Sequence, residues 1–101
     1  MVIFLTSSFI DYATEETYTP KPLENSFGFI DNLKKYWKQD SRVLYFAGDP
    51  DDFSENDFQK RELEDCFRLA GFSLDEIKVF DSRCDEDLKS LMNWADVVYL
   101  A

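Results

Sequence analysis

The chain has 101 residues, 45% hydrophobic and 17% aromatic, enough for one domain with a packed core despite 32% charged residues. Its formal net charge of −10, with 11 scattered basic residues against 21 acidic ones, disfavours nucleic-acid and anionic-membrane partners, which need clustered Lys and Arg. It contains no histidine, so Ser-His-Asp and Cys-His catalysis and the common His-containing zinc sites cannot be built from its own residues.

The N-terminal stretch "MVIFLTSSF" is apolar but short, with no basic residue ahead of it, so no signal peptide is expected. No apolar run approaches the ~20 residues that span a bilayer. These features predict a cytoplasmic protein whose two cysteines, Cys66 and Cys84, stay outside any disulfide or CxxC pair. "VIFLTS" at 2–7 reads as a first strand. Residues 10–26 then form a connection far longer than the ~2–6 residues usual between elements, and such loops often carry function. A first helix presents Phe29, Ile30, Leu33, Tyr36 and Trp37 at helical spacing.

"RVLYFA" at 42–47 predicts a second strand, near-continuously apolar like a parallel strand covered on both faces. The second helix carries the clearest start signal. Ser54 and Asp57 have capping-box spacing, and Phe53 and Phe58 stand where a hydrophobic staple would place its pair. Leu63, Cys66, Phe67 and Ala70 form its core face, and Gly71 supplies its stop. "IKVFD" at 77–81 alternates, which predicts an edge-like third strand. A third helix from near Asp85 presents Leu88, Leu91, Met92 and Ala95, and "VVYLA" at 97–101 closes the order β-α-β-α-β-α-β. Such alternation predicts a doubly wound parallel sheet of the α/β class. Between the strand orders 3-2-1-4 and 2-1-3-4, the alternating third strand favours the former.

Three places hold residue types that could carry chemistry. Asp49, Asp51, Asp52, Glu55 and Asp57 cluster after the second strand. A cation site is one reading, but the spacing matches no calcium loop, and acids gather at helix N-termini for electrostatic reasons alone. Ser7 and Ser8 follow the first strand, yet no glycine lets the backbone close around a phosphate there. Cys84 lies beside Arg83 but among Asp81, Asp85, Glu86 and Asp87, which oppose a thiolate, while Cys66 reads as a small buried hydrophobe. No catalytic, cofactor-binding or metal-binding residue, and no cofactor, is therefore assigned.

"LTSSF" at 5–9, "RVLYFAGDPDDFSENDFQKRELEDCFRLAGF" at 42–72, "IKVFD" at 77–81 and "LMNWADVVYLA" at 91–101 together resemble the N-terminal half of the S51 peptidase family, which includes aspartyl dipeptidase and cyanophycinase. The resemblance implies a flavodoxin-like, three-layer α/β/α fold of the class I glutamine amidotransferase-like superfamily, here cut after the fourth strand. It also implies that the oxyanion turn, the nucleophilic serine of a G-x-S-A-G-like elbow and the histidine all lie past Ala101. The chain would then be the scaffold of a serine hydrolase of small peptides such as Asp-Xaa dipeptides, inactive by itself. The 10–26 loop and Asp49–Phe53 would supply one wall of its pocket. The alternative expectation is a naturally short, non-catalytic protein. On that alternative Val97, Val98, Tyr99 and Leu100 form an apolar strand at the sheet edge, which predicts a homodimer or larger oligomer.

Overall fold

A computed structural model describes residues 18–23 and 28–100. Over these residues the order is α1 (Phe29–Lys34), β1 (Ser41–Phe46), α2 (Phe53–Leu69), β2 (Leu74–Phe80), α3 (Leu88–Trp94) and β3 (Val97–Leu100). The three strands form one parallel sheet in the order β2-β1-β3, giving a small α/β domain. The predicted first strand at 2–7 and Ala101 lie outside the described residues.

β1 occupies the middle because its side chains are apolar in both directions. Val43, Leu44 and Tyr45 are each at most 1% exposed, as a strand flanked by two others and covered on both faces requires. Side chains alternate across a strand, and the register divides the sheet accordingly. Val43 and Tyr45 align with Ile77 and Val79 of β2 and with Val97 and Tyr99 of β3. This face packs against Leu63, Cys66 and Phe67 of α2, with Ile30 and Leu33 of α1 against the same cluster. Arg42, Leu44, Lys78 and Val98 point the other way. There Trp94 of α3 covers the Arg42 guanidinium at 5.7 Å and the Lys78 ammonium at 4.6 Å. Leu91 is the buried residue of α3.

The strand order corrects the expected 3-2-1-4, and it excludes 2-1-3-4 as well. Either order keeps the strand at 42–47 apart from the strand at 97–101. Instead they pair directly from Val43↔Val97 to Phe46↔Leu100. Asp96 sets this register, because its N–H donates to the Arg42 carbonyl at 2.8 Å while its carboxylate accepts the Arg42 N–H at 3.0 Å. Tyr45 and Tyr99 then stack at 5.5 Å. Among the described residues the third predicted strand lies at an edge, and it begins earlier than expected, at Leu74.

Helix boundaries follow local chemistry that differs in detail from the expected signals. α2 is capped by Asp52, whose side chain accepts the Glu55 N–H at 3.3 Å; Ser54 already lies inside the helix. The expected staple is absent because Phe53 sits under the Arg83 guanidinium at 4.6 Å, whereas Phe58 packs edge-on against Tyr18. The stop at Gly71 is as expected. With φ at +91°, Gly71 donates to the Arg68 carbonyl and Phe72 to the Phe67 carbonyl, a Schellman closure sealed by the Phe67–Phe72 ring contact. α3 starts later than expected, at Leu88 behind an Asp87 cap. Of its predicted face only Leu91 is buried, Leu88 and Met92 remaining over 40% exposed. α1 ends at Lys34, short of two residues of its expected face: Tyr36 is likewise exposed, while Trp37 packs on Phe67 and donates its indole N–H to the Ser73 carbonyl at 3.0 Å.

Candidate functional site

The carboxyl ends of parallel strands are where open α/β sheets bind ligands. Here the ends of β1 and β2 carry the acidic loop and the 81–87 loop. Pro50 and Asp51 receive Ser82, through a backbone N–H donated to the Pro50 carbonyl at 2.9 Å and a hydroxyl bonded to the Asp51 carboxylate at 2.5 Å. Asn56, 2% exposed, donates one amide to both the Asp49 carbonyl at 2.9 Å and the Asp81 carboxylate at 3.2 Å.

Arg83 closes this arrangement. Its guanidinium donates to Asp81 at 2.7 Å and grips both carboxylate oxygens of Asp57 at 2.8 and 3.0 Å. The hydrogen bonds from Arg83 hold both carboxyls below the ordinary range, overcoming the opposite effect of burial. The same pairing pushes the Arg83 guanidinium further up. The clasp therefore ties the exit of β2 to the first turn of α2. Asp57, Asp81 and Arg83 are thereby engaged with one another. Sequence reading considered Arg83 only as a neighbour of Cys84 and missed Asn56. The available signal was an Asp at a strand end two residues before the only Arg of its loop.

Each acid of the 48–57 cluster thus has a structural assignment or lies at the surface. Asp49 accepts the Asp51 N–H at 3.0 Å, Asp51 meets Ser82, Asp52 caps α2, Asp57 meets Arg83, and Glu55 accepts from Gln59. Among the described residues no group of three or more acidic or thiol side chains is disposed to hold a metal ion. Cys66 is buried in the core, where burial first, then Glu62 and Asp65, push its thiol up. Cys84 is half-buried, its backbone N–H donating to the Asp81 carbonyl at 3.0 Å. Ser7 and Ser8 lie outside the described residues.

Part of the long 10–26 connection is fastened down. Leu23 is 4% exposed within the core and donates its N–H to the Cys66 carbonyl at 3.4 Å. The Tyr18 hydroxyl bonds to Asp65; burial and then that acceptor push the phenol up. Residues 18–23 therefore form a strap along α2. Beside the clasp, a cavity of about 380 Å³ runs past Glu76–Val79 of β2, between Lys60 of α2 and the 83–86 loop.

No helix among the described residues is long and apolar enough to cross a membrane. Comparison with protein-family models, with curated proteins and with solved structures finds no match for this chain.

Proposed function

We propose that this chain is a non-catalytic α/β unit that associates with a second copy through the outer edge of β3. The observation carrying the proposal is the contrast between the two edges of the sheet. β3 is laddered to β1 on one side only among the described residues; Val98 and Leu100 are 40% and 74% exposed, and the strand Val97–Leu100 carries no charge. β2, the opposite edge, carries Asp75, Glu76 and Lys78. Charged edges resist pairing with a second copy of the same chain, whereas an apolar, uncharged edge is a template for it. A two-fold axis beside β3 would join two copies by antiparallel pairing of the same patch. Light scattering should give a dimer or larger species for the unaltered chain, and Val98→Lys should shift it toward monomer. A monomeric unaltered chain at high micromolar concentration would sink the proposal.

The second reading is the N-terminal scaffold of an S51-like serine peptidase, with a flavodoxin-like layered fold. Its support is the residue-level resemblance together with the parallel α/β build, in which α2 and α3 meet opposite faces of the sheet. The direct β1–β3 pairing counts against the strand order that fold needs. On this reading the β3 edge receives further strands of the same domain, with the serine, histidine and oxyanion turn supplied from there. The pure 101-residue chain should then hydrolyse no Asp-Xaa dipeptide, and the coding sequence past codon 101 should run in frame into a G-x-S-x-G elbow.

A further inference from the structure

We propose that the outer edge of β2 is a docking groove for an extended, basic peptide segment of a partner protein. The cavity of about 380 Å³ touches four consecutive residues, Glu76, Ile77, Lys78 and Val79. Their side chains alternate, Ile77 and Val79 toward the α2 face and Lys78 toward Trp94 on the other. A cavity in contact with all four runs along the strand's edge. The inner edge is paired with β1, so this is the outer one. Four residues span about 13 Å at the rise of a strand, enough for a short added strand. Lys60 of α2, Leu91 of α3 and Asp85 and Glu86 of the 81–87 loop also line it, so an incoming peptide would meet side chains as well as a backbone edge.

The charge of the groove selects the partner. Arg83 is held by Asp57 and Asp81, and Lys78 by Glu86 at 3.3 Å. The side chains of Glu76 and Asp85 make no hydrogen bond or ion pair among the described residues, and the one lining cation outside such a pair, Lys60, already acts on Asp57. The whole chain carries −10. A second copy of this acidic chain is disfavoured here, while a segment with Lys or Arg at alternate positions meets Glu76 and Asp85 as its backbone pairs with β2. This is strand addition of the kind that takes affinity from main-chain hydrogen bonds and specificity from alternate side chains. It uses a different edge from the proposed self-association and does not depend on it.

The test is fluorescence anisotropy of the full chain with a fluorescein-labelled Lys-Val-Lys-Val-Lys-Val-Lys peptide. Saturable binding is expected. It should be lost when alternate peptide amides are N-methylated and when every Lys is replaced by Glu. Glu76→Lys combined with Asp85→Lys, both exposed positions, should weaken it about ten-fold or more. Leu100→Lys should leave it intact. Absence of saturable binding would overturn the proposal, as would equal binding of the N-methylated peptide, which would show charge adsorption without strand pairing. Indifference to the double variant, or loss of binding in Leu100→Lys, would place the peptide elsewhere and overturn it equally.

Discussion

Asn56 holds the loop after β1 to the end of β2 with a single buried amide, donating to the Asp49 carbonyl and the Asp81 carboxylate. Asn56→Ala leaves two acceptors without this donor, at a cost of about 1–3 kcal/mol, measurable as a lower urea midpoint. Arg83 contributes to the acid side of stability, beside Asp96, whose carboxyl is lowered by the Arg42 N–H and by Lys38. Asp57 and Asp81 have folded-state pKa values below their unfolded ones. Their contribution is therefore complete above the ordinary carboxylate range, about pH 4, and is lost as pH falls through the lowered values. The urea midpoint of the unaltered chain should drop on acidification through that range. Arg83→Ala should start lower and drop less, and equal acid slopes for the two would contradict the clasp. Little of this network was legible beforehand. Asp57 and Arg83 are 26 positions apart, and only the fold reveals that the acid which looks like a capping-box partner is held by a distant arginine.

At the scale of elements, α2 was legible as a helix because its apolar spacing, first-turn acids and terminal glycine agree with one another. Its start was misplaced by two residues because Asp52, Ser54 and Asp57 all offer plausible capping oxygens, and only the geometry chooses among them. Asp52→Ala should destabilise the chain by about 1 kcal/mol, while Ser54→Ala should be near neutral. The reverse ranking in thermal melts would restore the capping box. At the other end Gly71 sits at φ +91°, so Gly71→Ala should be destabilising by about 1 kcal/mol through backbone strain alone. α3 was the weaker reading. Its apolar spacing suggested a buried face, yet seven residues can cover only part of the sheet, and Leu88 and Met92 are left in the open. Periodicity reports which residues share a face; it does not report how much surface lies opposite.

For the whole molecule, the parallel α/β class was legible from alternating strand and helix patterns, and the edge position of β2 from its interspersed charges. Strand order was not, because it depends on contacts such as Asp96 with the Arg42 backbone, which join residues 54 positions apart. Asp96→Ala removes the acceptor of the Arg42 N–H at the mouth of the β1–β3 ladder. Amide exchange should accelerate across Val97–Leu100 while α2 stays protected, and unchanged protection of β3 would contradict this role. Among the described residues the two edges then follow opposite rules: β2 is charged and grooved, and β3 is apolar and bare. The central claim is that the bare edge makes this chain an associating unit. Light scattering on the unaltered chain and on Leu100→Lys, at matched high micromolar concentration, tests it most directly. The account predicts a dimer or larger species that becomes monomeric in the variant; a monomer in both samples, or an unchanged oligomer in Leu100→Lys, would contradict it.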